Sequence, residues 1–257
     1  NASGIHKNLH LTYAVRDGII SHCGETDENG LFPRNEAIDL VSVERPNQYQ
    51  PYTWEGCIVK ISDKIAYLGR DIEDAIELNL LDPSQLNELR SLMKLVSAAE
   101  GVINNTALIE LFINDLCRSS SPAEGLHLSH EYHSLLVKVK EFNYRYIYNH
   151  PRLLYYKDYA KCIIVTIFRF LDSLYGPALL DTITANLTKF PTLMRYFREW
   201  IIKYSDIAPE ERQKELFDNE IIYNLSDHTD YKRAIIDYIA GMTDNFAIRV
   251  YHEIISF

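Results

Sequence analysis

Within VKISDKIAYLGRDIEDA (59–75), five residues able to engage a metal, a phosphate or a sugar fall close together: Asp63, Lys64, Tyr67, Arg70 and Asp71. At about 100° per residue of α-helix, Asp63, Tyr67, Arg70, Asp71 and Asp74 gather on one face, and Ile61, Ile65, Leu68, Ile72 and Ile76 on the other. A carboxylate followed at once by a lysine suits a divalent cation with a bound phosphate, since the acid ligates and the ammonium neutralises. Tyr67 offers a ring on which a sugar or base can pack, and Asp71 can accept hydrogen bonds from sugar hydroxyls. Aligned, these groups make a nucleotide rail. They make an equally good solvated face of an ordinary amphipathic helix, and the residues alone leave both readings open.

The stripe needs a long helix beneath it, and the chain is built to supply helices. Gly and Pro number only 10 and 9 in 257 residues, too little turn punctuation for a sheet-rich fold. Apolar content of 47% with 24% charged residues is that of a folded protein, and the length suffices for one substantial core. LTYAVRDGIISHC (11–23) places Leu11, Val15 and Ile19 at helical spacing. Residues 24–53 carry prolines and Asn-Gly and read as a long irregular connection, a candidate lid or substrate-facing loop. Thr53 then opens a helix of some seven turns, and Asp82-Pro83-Ser84 opens the next. Further helices are expected near 101–119, after Ser129, from Leu153 to Tyr175, from 190, at PEERQKELF, and in DYKRAIIDYIAGMT and DNFAIRVYHEII. SSSPAEG (119–125) is the clearest internal break. No repeat and no strand–helix alternation is present. The expectation is all-α, a single helical domain over 1–257.

The formal charge is −10, from 36 acids against 26 bases. That argues against non-specific binding to nucleic acid or to an anionic membrane. Cys23, Cys57, Cys117 and Cys162 form no CxxC pair and read as reduced thiols of a cytoplasmic protein. No apolar run reaches membrane-spanning length, because Arg169 breaks KCIIVTIFRFL, and no signal peptide is visible. A start without Met raises the expectation of a processed or truncated piece.

Other groups carry weaker signals. His22, Cys23 and Glu25 suit a helix end better than a metal or nucleophile site. His127, His130 and His133 drift around a helix without forming HExxH, and Ser129 reads as its cap. KVKEFNYRYIYNHPR (138–152) is the most basic and aromatic segment; Lys138, Lys140, Arg145, Tyr148 and His150 suit phosphate and base contacts or, as readily, the outside of an amphipathic helix. Gly241 suits close helix packing, and Asp244 suits a helix start.

Three stretches, in order, carry a family likeness: EGCIVKISDKIAYLGRDIEDA (55–75), NLHLTYAVRDGIISHCGE (8–25) upstream of it, and DYIAGMTDNFAIRVYHEI (237–254) near the end. The chain resembles the HD-domain deoxynucleoside triphosphate triphosphohydrolases, the dGTPase-like family. The resemblance implies a multi-helix HD-domain-like bundle, with 1–80 the end of its core and 81–257 a C-terminal helical region. It implies a dNTP substrate, hydrolysed at the α-phosphorus to deoxynucleoside and triphosphate with a divalent metal such as Mg or Mn. Asp63 would be a metal ligand, Lys64 would contact the triphosphate, Tyr67 would lie against the sugar, and Asp71 would bond the 3′-hydroxyl. Arg70 would meet a second phosphate or form a structural ion pair. Homo-oligomers are expected.

One departure stands out. The family's H…HD motif has no counterpart: His6, His10 and His22 precede Asp63, and none is followed by Asp. The expectation is therefore the C-terminal portion of such an enzyme, inactive by itself and needing ligands absent from this chain. The alternative is a non-catalytic nucleotide-binding or oligomerisation module, or an interaction protein without nucleotide.

Overall fold

A computed structural model describes residues 9–24, 29–94 and 105–256. Its elements are helices: eleven α-helices, one 3₁₀ turn (Leu40–Ser42) and one π-helical turn (Asn143–Tyr148). Among the described residues the only β pairings are isolated bridges, such as Leu31 with Leu126. No helix among them is long and apolar enough to cross a membrane. His6 and Glu25 lie outside the described residues. The chain groups into two compact units, Leu11–Leu154 and a second formed from Tyr155 onward.

The first unit is organised around α2 (Trp54–Glu77). Its start is set by Thr53, whose hydroxyl accepts the Gly56 N–H at 3.1 Å and so satisfies an otherwise orphaned donor. Cys57, Ile61, Ile65, Leu68, Ile72 and Ala75 form one buried arc, while Ile76, expected to join it, is left exposed at the helix end. Against that arc pack α4 (Asn105–Ser119) and α5 (His130–Phe142), and α3 (Pro83–Met93) joins the same core by packing on α5, with Leu89, Leu108, Phe112, Leu135 and Val139 among the buried residues. Each fully buried Leu, Ile or Phe contributes about 1.5–3 kcal/mol of transfer free energy. Asp82 and Gln85 close a reciprocal capping box at the start of α3, as Asp-Pro-Ser predicted. Ser129 caps α5. SSSPAEG proves to be a tight turn inside this unit, with Ser121 and Gly125 bridged and Gly125 at φ +84°.

Two close approaches fix how α2 lies. A Cβ on Gly69 would sit 3.0 Å from the Asn105 Cα and 2.5 Å from its Oδ1. The absent side chain thus lets the N-terminus of α4 rest on α2, where Glu73 accepts the Asn105 N–H at 2.8 Å. On the next face the buried Asn143 donates to the Leu68 carbonyl at 3.2 Å and ties the π-helical turn to α2.

The second unit is organised around α8 (Pro191–Tyr204), with α7 (Leu179–Ala185), α9 (Pro209–Lys214), α10 (His228–Ala240) and α11 (Asp244–Ile255). α6 (Pro151–Asp172) contributes Ile163, Ile167 and Leu171 to the same core as Leu193, Met194, Phe197, Ile201, Tyr231 and Ile235. Both ends of α8 are satisfied by side chains from elsewhere. Glu253 accepts the N–H groups of Thr192 (3.0 Å) and Leu193 (2.8 Å). The buried Arg212 donates to the carbonyls of Ile202 and Lys203 at the other end. Asp244 opens α11 behind its cap Thr243.

Gly69→Ala tests the α2–α4 approach. Alanine favours an exposed helix by about 1 kcal/mol over glycine, yet here the variant should lose about 1–3 kcal/mol to overpacking, read as a lower denaturant midpoint. Cys57 gives a second test. Burial first, then the charge of Asp17, push its thiol up to about 11 against the opposing pull of Lys60, from 9.0. Because the unfolded thiol ionises first, its contribution to stability should fall as pH rises from about 9 towards 11. Near pH 8 a thiol reagent should modify the exposed Cys23, Cys117 and Cys162 at once, and Cys57 only on unfolding.

Candidate functional site

The α2 stripe runs along the side of the helix opposite its buried arc. Asp63, Lys64, Asp71 and Asp74 are half-buried, whereas Tyr67 is 59% exposed and Arg70 is exposed. Arg70 reaches back to Asp74 at 3.1 Å and to Glu73 at 3.9 Å. Of the two roles open to it, the ion pair is the one its geometry displays, and such an exposed pair is worth under about 1 kcal/mol.

Asp71 is held from another element. The Tyr148 hydroxyl donates to its Oδ2, a hydrogen bond between residues far apart in sequence. Tyr148 stands at the end of the π-helical turn, an irregularity found often where a side chain must be re-aimed. Its ring meets that of Tyr144 edge-on, centroids 5.0 Å apart. Tyr144, Lys140 and Arg145 line a cavity of about 450 Å³ together with Val137, Glu141 and Asn149. The basic, aromatic segment and the acidic stripe therefore meet through Tyr148. Lys138 is exposed, and His150 accepts the Arg152 N–H.

At the N-terminal end of the stripe lies a polar cluster that sequence reasoning missed. In α1 (Tyr13–Ser21) the buried residues are Asp17 and Ser21, while Leu11, Val15 and Ile19 are exposed. Asp17 pairs with Arg34, and its other oxygen accepts the Tyr52 N–H at 2.7 Å. Arg34 also donates to the Gln50 carbonyl (2.7 Å) and the Tyr13 hydroxyl (2.7 Å). Burial alone would lower the Arg34 pKa; the hydrogen bond and charge of Asp17 outweigh it, and the net shift is upward. One turn before Lys64, the fully buried Lys60 donates to Asn47 at 2.7 Å and Gln50 at 3.3 Å. The connection across 24–53, expected as a candidate lid, is thus pinned, in its described part from residue 29, at both Arg34 and Asn47 to α1 and α2. Helical periodicity gave no signal for Lys60: at about 100° per residue it falls on the polar stripe, between Tyr67 and Asp71, and its burial comes from Asn47 and Gln50 of the connection.

Among the described residues the remaining histidines build no centre. His22 ends α1, its Nδ1 2.7 Å from the Ile19 carbonyl. Among the described residues no group of three or more His, Cys, Asp or Glu side chains converges as a metal site. Asp63 therefore has no co-ligands there, the described residues do not fit a divalent metal, and no chemical step is derived through one.

Residues 205–253 match a phosphohydrolase-associated domain. Proteins described as deoxyguanosinetriphosphate triphosphohydrolase-like match almost the whole chain. That of Caldanaerobacter subterraneus is 25% identical over 248 residues, 96% of this chain and 52% of the relative. That of Desulfatibacillum aliphaticivorans is 24% identical over 253 residues, covering 96% and 56%. That of Rickettsia canadensis is 25% identical over 259 residues, covering 97% and 63%. The chain spans a little over half the length of these relatives.

The buried pair makes the pinned connection testable. Arg34→Met leaves the Asp17 carboxylate uncompensated, which should cost about 3–5 kcal/mol of stability, measured by chemical denaturation. Asp17→Asn with Arg34→Met should recover part of that loss; no recovery would mean that the two residues do not act as a pair.

Proposed function

We infer, for a chain related along nearly its whole length to the dGTPase-like HD-domain family, that the α2 stripe is the deoxynucleotide-facing wall of a dNTP triphosphohydrolase. The single observation that carries this reading is the Tyr148–Asp71 hydrogen bond. It orients one carboxylate beside an exposed tyrosine ring, the pairing a deoxyribose requires. With one oxygen engaged by Tyr148, Asp71 keeps acceptor capacity for the sugar 3′-hydroxyl. Tyr67 lies one turn earlier with its ring uncovered; packed against the sugar, it disfavours a 2′-hydroxyl. Lys64 takes the triphosphate, a compact charge on a flexible stem. Asp63 would offer a divalent metal one carboxylate only, so such a metal would need its other ligands from outside the described residues. The reaction is hydrolysis at the α-phosphorus, releasing deoxynucleoside and intact triphosphate.

A second reading rests on the lack of a converging metal-ligand group among the described residues. In it, the chain binds the nucleotide without turning it over. Self-association belongs to either reading and is supported by the uncovered apolar stripe of α1.

The assay is release of triphosphate from each dNTP by the full-length protein with Mg²⁺ or Mn²⁺. Asp63→Ala should reduce turnover to background with the fold intact. Asp71→Asn should lower kcat/KM about 10- to 100-fold, the range for a hydrogen bond to a charged group. Tyr67→Ala should narrow the preference for dNTP over NTP. Pyrophosphate or single phosphate as product would exclude this reaction class. Saturable dNTP binding without release would select the second reading.

A further inference from the structure

The C-terminal signature DYIAGMTDNFAIRVYHEI (237–254) takes no part in the α2 stripe. It builds one side of a cavity of about 550 Å³ within the second unit, the size of a small-molecule site. The other side is the face of α8. The walls are aromatic: Tyr196 meets Phe246 edge-on at 5.5 Å, and Trp200 packs on Tyr204 at 4.5 Å. The Trp200 Nε1 is already donated to the Ala234 carbonyl at 3.1 Å, so the indole presents apolar surface.

Three polar groups on this lining have unused capacity. Tyr238 is 7% exposed, and its hydroxyl is buried without a hydrogen-bond partner. Burial, followed by the nearby Glu199, Tyr196 and Glu253, raises its pKa, so the phenol remains a donor. A buried donor left unpaired costs free energy that a ligand acceptor would return. Arg249 and Glu199 form no ion pair or hydrogen bond among the described residues. Lys203, by contrast, lies over the rings of Tyr204 (5.2 Å) and Phe217 (5.8 Å). Two cations against one acid favour an anion, and aromatic walls favour a flat ring.

We propose that this cavity binds a small planar aromatic anion, its ring among Trp200, Tyr204 and Phe246, its acidic group on Arg249, and an acceptor reaching the Tyr238 hydroxyl. A nucleoside monophosphate and an aryl carboxylate share that chemistry. The site uses no residue of α2 and is independent of the reading above.

Trp200 is itself the reporter. With only two tryptophans in the chain, Trp54→Phe leaves Trp200 as the sole indole. The full chain is titrated with dAMP, deoxyadenosine and 3-phenylpropionate, following its emission and, in parallel, the heat of binding. Saturable binding of dAMP or of 3-phenylpropionate is expected, and whichever binds identifies the source. Arg249→Gln should weaken it about 10-fold or more. Tyr238→Phe, which removes an unpaired hydroxyl, should weaken dAMP several-fold without lowering the unfolding midpoint. Asp71→Asn should leave it unchanged. The proposal is overturned if neither anion binds at millimolar concentration, if deoxyadenosine binds as tightly as dAMP, or if Arg249→Gln has no effect. Loss of binding in Asp71→Asn would equally overturn it, since the ligand would then sit on α2.

Discussion

Residue 69 has no side chain, and the first unit depends on that. α2 carries its polar stripe and its core contacts on different sides of one cylinder, so any displacement of its axis moves both. Gly69 lets the start of α4 rest directly on the helix, and Glu73 then accepts the half-buried N–H of Asn105. With that face seated, Asn143 reaches the Leu68 carbonyl from the opposite element. The π-helical turn that follows aims Tyr148 at Asp71. A packing constraint at one glycine is thereby converted into the orientation of a carboxylate.

A second layer of order comes from charges taken out of water. Asp17 and Lys60 are almost wholly buried, and neither is tolerable without partners. The connection across 29–53 supplies them: Arg34 and the Tyr52 N–H for Asp17, Asn47 and Gln50 for Lys60. Its irregular backbone therefore has a structural duty, which explains how so long a segment, with only one 3₁₀ turn and an isolated bridge, packs against α1 and α2. The price is borne by α1, which turns Asp17 and Ser21 inward and leaves Val15 and Ile19 outward.

In the second unit the same principle operates at helix ends. Glu253 and Arg212 supply the donors and acceptors that the ends of α8 lack, one from the last helix and one from α9. With α8 held at both ends, its aromatic face remains open opposite the AGMTD turn, and the cavity there follows from that geometry. The likeness to phosphohydrolase-associated domains falls on this region, so the signature and the cavity share residues.

Sequence by itself determined the helical class, the starts of α2, α3 and α5, and the separation of the α2 stripe from the Ile61–Ile72 arc. Those features are local: capping groups lie within three or four residues of what they cap, and helical periodicity needs only a single helix. The family likeness was legible for the same reason, in short contiguous motifs. Tertiary structure alone decided that Tyr148 meets Asp71, that Arg34 pairs with Asp17, and that α1 buries Asp17 and Ser21 rather than Val15 and Ile19. Ile76 was assigned to the buried arc and is exposed, because periodicity gives direction but not where the neighbouring helices stop. Partnerships between residues distant in sequence depend on loop paths and close backbone approaches, for which one chain's pattern carries no local signal.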